Sequence, residues 1–364
     1  MILLFYPDKD STIYEYFDDT NTGIDEILEV SHVNLNNNLS LSRTLIDFSS
    51  SVSELSRSIS NGLLSTTYSV DLQLYTAYAE ELPLKYTLEI RPIYESWEMG
   101  TGKYSNSPTT TNGVSWVYRD GITLGTTWSI DNLPENVTSS YFAIDGGSNW
   151  YYNLGTTIST NYSSTDINVD ITDIFSSWVT SSIENNGIII KRSYKDETST
   201  EYQGKLQFFS RESNTIYSPV LRFKYDDSIY TTGSLLPIDI SIGDIIVYAK
   251  NKKVYKEGEI ARIDVKCRYK YPNRTFSTES MYKTSYYLPT SSYYQISDYI
   301  TGDKIIDFDD NYTKLSCDSN GNYFTLRTNN FMLNRFYKIS LKVVDSDTLE
   351  EVYYDDGFTF KVVK

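Results

Sequence analysis

The chain has 364 residues, 40% of them hydrophobic, and its 48 Asp and Glu against 32 Lys and Arg give a formal net charge of −16. That length suits two or three domains, each with its own core, and the composition excludes disorder along the whole chain. So acidic a surface opposes nucleic acid and anionic membranes, since both attract Lys and Arg, and no apolar run approaches the roughly 18 residues of a membrane span.

Tyr is over-represented, at 34 copies, among many Ser, Thr and Asn. Tyr and Thr fit half-buried pleated strands, and Ser and Asn fit turns, so an all-β protein is expected. The N-terminal Met1–Tyr6 is apolar but too short for a signal segment, and Asp8 follows closely. Synthesis and solubility in a cytoplasm are expected.

In chain order, a weak helical pattern covers about Ser51 to Ile59. Thr101–Gly113 and Asn153–Thr165 are rich in Ser, Thr, Asn and Gly and read as surface loops. Ile171, Ile174, Phe175, Trp178 and Val179 fall on one helical face, with Asp170 and Asp173 suited to its N-terminus. Leu221, Phe223 and Tyr225 alternate with basic residues, as one strand. Asp226-Asp-Ser, Thr231-Thr-Gly-Ser234 and Pro237 then mark a boundary. Beyond it, Ile263/Val265/Cys267, Ile339/Leu341/Val343 and Phe358/Phe360/Val362 alternate with polar residues, the pattern of antiparallel sheets with one solvated face. The 120-odd residues after the boundary suit one small Ig-like sandwich. Asp318-Ser-Asn-Gly-Asn322 lacks the ligand pattern of a calcium loop and reads as a turn.

Catalytic equipment is sparse. His32 is the single histidine, so a Ser-His-Asp triad or a histidine metal cluster would have to use it. Glu95 and Glu98 flank Trp97, but 48 acidic residues offer many such pairs. The expectation is a protein that is not an enzyme, with no cofactor and no metal. Cys267 is in step with apolar neighbours and reads as a small buried hydrophobe; a bridge to Cys317 is left open. Trp97, Trp116 and Trp178 read as core. Trp128 and Trp150, in Gly/Ser/Asn-rich surroundings, are the candidates for exposed stacking on a sugar or partner. Lys and Arg outnumber acids between Lys250 and Arg274, whereas acids dominate Met1–Ser60. A solvated face explains the basic stretch simply. The sharper reading makes Lys252, Lys253, Lys256 and Arg268 subunit contacts, docking on the acidic region of a neighbouring copy.

An ordered series of short motifs spans residues 6–225: Asp10-Ser-Thr-Ile13, Asn21-Thr-Gly23, Ile27-Leu-Glu-Val30, Arg43-Thr-Leu-Ile-Asp-Phe48, Val70-Asp-Leu-Gln-Leu-Tyr75, Glu95-Ser-Trp97, Gly113-Val-Ser-Trp116, Val169–Trp178, Gly187–Lys191, Phe208–Ser213 and Pro219–Phe223. It resembles the DNRLRE-type β-sandwich module, a jelly roll of bacterial surface and carbohydrate-binding proteins. Asn21-Thr-Gly-Ile-Asp25, Tyr287–Tyr294, Ser316–Gly321 and Asp355-Asp-Gly-Phe358 are features by which the whole chain resembles uncharacterised virion structural proteins of tailed bacteriophages. The first resemblance implies a large jelly-roll-like β-sandwich, and with the boundary read above the expected organisation is that sandwich over residues 1–228, a linker over 229–240 and the Ig-like β-sandwich over 241–364. The second implies a virion structural protein, neck- or tail-associated or head-decorating, whose partners are other virion proteins and copies of itself. The alternative is a carbohydrate-binding module that contacts host surface glycans.

Overall fold

The computed structural model describes the chain except residues 36–37, 107–109, 111, 122–124, 140–145, 162–165, 241–244, 273–284, 330 and 346–347. The fold is all-β and falls into two compact units. One comprises Phe5–Leu64 with Ser69–Phe223; the other comprises Met1–Leu4, Ser65–Tyr68 and Lys224–Lys364. Among the described residues no helix is long and apolar enough to cross a membrane.

In the first unit the larger sheet runs in the order Thr156–Asn161, Lys85–Pro92, Ile188–Arg192, Asn38–Asp47, Ile27–Leu35, Gly204–Phe209, Thr76–Glu80, and Lys9–Tyr14 also pairs with Asn38–Asp47. Ile188, Ile189 and Ile190 are all fully buried, so this short apolar run forms a strand covered on both faces. Each such side chain contributes roughly 1.5–3 kcal/mol by its removal from water. A smaller sheet joins Val220–Lys224, Ser69–Leu74 and Ile167–Asp170, with Val70, Leu72 and Leu74 buried.

Both expected helices form, at Ser49–Ser60 and Thr172–Val179. Ile174, Phe175 and Trp178 are buried from the second, and the Phe175 ring lies 5.6 Å from Phe223. Asp170 serves its start from one residue further out than a cap position, accepting the Thr172 N–H at 2.7 Å. A one-turn helix at Tyr194–Glu197, capped by Ser193, has no periodic signal in the sequence.

Two readings change. Asn153–Thr165 was expected as a loop, but Thr156–Asn161 is a strand paired with Lys85–Pro92. Its one strongly apolar residue is Ile158, so alternation could not reveal it. Residues 229–240, expected as a linker, are hydrogen-bonded within the second unit: Tyr230 bridges Cys317 and Leu236–Pro237 pairs with Tyr286–Tyr287.

The second unit is a two-sheet sandwich. One sheet orders Leu236–Pro237, Tyr286–Tyr287, Ile260–Tyr269, Gly321–Arg327 and Ser316–Asp318, with Ile245–Lys250 also on Ile260–Tyr269. The other orders Val254–Lys256, Thr359–Val363, Phe336–Val344, Ser292–Asp298 and Lys304–Ile306, with Glu351–Tyr354 on Phe336–Val344. Tyr294 of one sheet stacks on Phe324 of the other at 4.2 Å, so the alternating apolar faces meet. Asp318 and Gly321 pair across a two-residue hairpin, as the turn reading expected. Cys267 and Cys317 are both free and buried, and burial pushes their thiols up to about 12 and about 11.

Candidate functional site

Trp128 and Trp150 are not exposed platforms. Each is only 3% accessible and packs in one cluster with Trp97, Trp116, Ile13, Leu41 and Ile189. The polar, glycine-rich surroundings that suggested a surface serve a buried charge instead. Arg43, fully buried, has its guanidinium 4.8 Å from the Trp116 ring and 5.1 Å from the Trp150 ring. Its Nε and Nη2 each donate to Glu197 at 2.9 Å, and Nη1 donates to the Gly147 carbonyl at 2.6 Å. Gly147 has φ +74°, and a Cβ there would lie 2.6 Å from Arg43 Nη1 and 2.7 Å from Trp116. Glycine therefore admits the charge, and the aromatic rings shield it. Lys191 completes the network, 3.5 Å from Glu197 and 3.4 Å from Glu89.

Glu95 also serves the framework. Burial opposes its ionisation, but hydrogen bonds from Ser129 and Asn149 outweigh it and hold the carboxyl below its usual range. His32 is buried opposite Gly204, and burial lowers its pKa. Of the basic candidates, Lys252, Lys253 and Lys256 gather beside and on the edge strand Val254–Lys256, where Lys252 pairs with Glu259. Arg268 does not join them. It lies near the far end of Ile260–Tyr269 in the opposite sheet, roughly 25 Å along the strand from Ile260 at the usual rise per residue.

A cavity of ≈ 330 Å³ opens instead on the polar face of the first unit's large sheet, lined by Tyr14, Glu29, Ser31, Tyr104, Lys205 and Gln207 among others. The register explains the choice of residues. Glu29 lies opposite Gln207, Ser31 opposite both Lys205 and Ser42, and Tyr14 opposite Ser42, so all share one face. The intervening Leu28, Val30, Leu206 and Phe208 are buried on the other. Glu29 is 8% accessible. Its Oε1 accepts from Ser31 Oγ at 2.8 Å and Ser42 Oγ at 3.4 Å, and its Oε2 accepts from Gln207 Nε2 at 2.8 Å.

The aromatic side of the cavity is held from a distance. Asn21 donates to the Met99 and Val114 carbonyls at 2.8 and 2.7 Å and accepts the Gly102 N–H at 2.7 Å. Asp25 then accepts the Tyr104 N–H at 2.9 Å, and Lys103 pairs with Glu26 at 2.6 Å. The Tyr104 ring, 48% accessible, sits 5.0 Å from Tyr14 and 5.3 Å from Phe17. Burial, and next the Glu29 and Asp25 carboxylates, push the Tyr14 hydroxyl well above its ordinary pKa, so it stays a hydrogen-bond donor. Fixed acceptors and amide groups beside aromatic rings can receive hydroxyls and stack on C–H faces. Reading along the chain missed Tyr14, Glu29, Tyr104 and Gln207. The available signal was a Glu between Leu28 and Val30 and a Gln between Leu206 and Phe208, polar residues in phase on two strands.

No family model matches the chain. No curated protein matches it either. Among solved structures, the crystal structure of a DUF4785 family protein from Legionella pneumophila is similar over 98% of this chain, at 9% identity and a TM-score of 0.20. This chain spans 65% of that protein's length, and a likeness at that score carries no argument about fold or function.

Proposed function

We propose that the chain is a structural component of a tailed-bacteriophage virion, acting through contacts with copies of itself and with other virion proteins. The sequence resemblance motivates the assignment, and one structural observation supports its mode of action. On the outer face of the second unit's sheet, Val254 pairs in register with Lys361 and Lys361 with Phe336, while Tyr299 N–H bonds the Phe336 carbonyl. Val254, Phe336 and Tyr299 are all about half exposed, although their neighbours Tyr255, Tyr337 and Phe360 are buried beneath them. Lys361 lies over the Phe336 ring at 5.5 Å. Val254, Phe336 and Tyr299 lie about Lys361 across three paired strands and the turn after Ser292–Asp298, an apolar and aromatic patch among lysines with the composition of a protein-binding face. The lysines of the edge strand oppose strand addition there, so contact is made by the face of the sheet and not by its edge.

Mass spectrometry of purified particles tests the location: the chain should be present at reproducible copy number, and its absence would refute the assignment. Sedimentation of the purified chain tests the mode. Self-association weakened by Phe336→Ser or Tyr299→Ser is expected; association indifferent to both would contradict it.

A further inference from the structure

We propose that Arg192 is the centre of a buried anion site that takes one chloride-sized ion in the interior of the first unit. The inference is independent of the virion assignment and would stand if that failed.

Among the described residues two arginines are buried, Arg43 at 0% and Arg192 at 1% accessible, and the fold treats them in opposite ways. Arg43 meets the Glu197 carboxylate through Nε and Nη2 and the Gly147 carbonyl through Nη1. Arg192 donates through Nη2 alone, to the Gln203 and Gly204 carbonyls at 2.9 and 3.3 Å. Its Nε and Nη1 are buried and meet no acceptor among the described residues. Asp196 and Glu197 are near enough to favour its charge, yet desolvation outweighs them and lowers its pKa to about 10. Both carboxylates are engaged elsewhere: Asp196 accepts the Thr87 N–H at 3.2 Å, and Glu197 is held by Arg43 and Lys191. Arg91 and Arg222 also leave Nε without a hydrogen bond, but each keeps a carboxylate, Glu89 at 3.5 Å and Asp71 at 3.0 Å. A buried cation needs such a counter-charge, because the solvation lost on burial is otherwise not regained.

Strand register brings further donors to the same place. Arg192 pairs with Leu88, so Tyr86, two residues along, shares its face, and Thr160 pairs with Tyr86. The Tyr86 ring lies 4.9 Å from the guanidinium. The hydroxyls of Tyr86 and Thr160 are buried and, like Arg192 Nε and Nη1, find no partner among the described residues. Three adjacent strands thus present a guanidinium and two hydroxyls, all able to donate, on one face. A neutral ligand would satisfy those donors and leave the charge uncompensated, whereas an anion does both. Burial then sets the size. With Arg192 at 1% and Tyr86 at 5% accessible, the space suits a halide and excludes sulfate, phosphate or a partner's carboxylate side chain.

Urea unfolding of the full-length chain tests this, with gluconate replaced by chloride at fixed ionic strength. Above the dissociation constant, each tenfold rise in chloride should raise the folding constant of the first unit about tenfold. Arg192→Met should abolish that dependence, and Tyr86→Phe, which keeps the ring and removes one idle hydroxyl, should weaken it. Crystals soaked in bromide should show an anomalous peak in contact with Arg192 Nε or Nη1, a result that decides the matter even if Arg192→Met fails to fold. Stability indifferent to chloride, or no bromide peak at Arg192, would overturn the proposal. So would a chloride effect unchanged in both variants, which would mean an adventitious ion only.

Discussion

Replacing Glu197 with Gln keeps the side chain's size and removes the charge that holds Arg43. In the native unit Arg43 is fully buried and donates twice to Glu197, each time at 2.9 Å. Lys191 sits 3.5 Å from the same carboxylate. The substitution therefore strands two buried cations, with Glu89 left as the carboxylate 3.4 Å from Lys191. The rings of Trp116 and Trp150 remain, and each desolvated cation–π contact retains up to about 2 kcal/mol. Against that, charge-assisted hydrogen bonds of about 1.5–3 kcal/mol each are lost, and breaking a buried pair costs about 3–5 kcal/mol in all. For a unit of this size, that corresponds to a fall of roughly 6–20 °C in melting temperature. Urea unfolding followed by tryptophan fluorescence is the natural assay, because two of the reporting rings flank the charge. The control Glu54→Gln, exposed on helix Ser49–Ser60, should change stability by no more than about 0.5 kcal/mol. If Glu197→Gln also fell within about 1 kcal/mol of the native protein, the network would not be what holds the tryptophan cluster together.

Gly147→Ala should destabilise the first unit by more than about 2 kcal/mol, since its Cβ would meet Arg43 and Trp116. Gly258→Ala, at φ +78° with nothing within 4 Å, should cost only about 1 kcal/mol, and equal costs for the two would refute the steric argument. Asp10 is buried and desolvation raises its pKa to about 7, despite the Arg211 N–H it accepts at 2.8 Å. The folded state thus holds a proton that the unfolded chain releases near pH 4, so stability present at low pH is lost as pH rises from about 4 to 7. Asp10→Asn should flatten that decline in urea titrations, and an unchanged slope would contradict it. The thiols of Cys267 and Cys317, raised by burial, should resist a thiol reagent at pH 8 until urea unfolds the second unit. Fast labelling of the native chain would show them accessible.

Period-two alternation made most of the sheet framework legible. Ile263/Val265/Cys267 and Ile339/Leu341/Val343 are buried inner faces, and the apolar stripe from Ile171 to Val179 is a helix. What local pattern cannot carry is register. Glu29 and Gln207 stand 178 positions apart and become one site only through strand pairing. Trp128 and Trp150 were misread because glycine and asparagine around an aromatic residue signal an exposed loop, whereas Trp150 stands in the strand Asn149–Tyr151 against Arg43 and Trp128 donates to the Ser115 carbonyl within the same buried cluster. Lys252, Lys253 and Lys256 stayed together because they lie within five positions at one strand. Arg268 was lost to them because Ile260–Tyr269 carries it away in the opposite sheet.

Lysine-directed cross-linking of intact particles tests the central claim most directly. If the outer face of the second unit is the working surface, Lys253, Lys338 and Lys361, which flank Phe336 and Tyr299, should link to a second polypeptide. The same lysines should label fully in the isolated chain. Equal labelling in both states, with no inter-chain link from any of them, would mean that this face meets no partner.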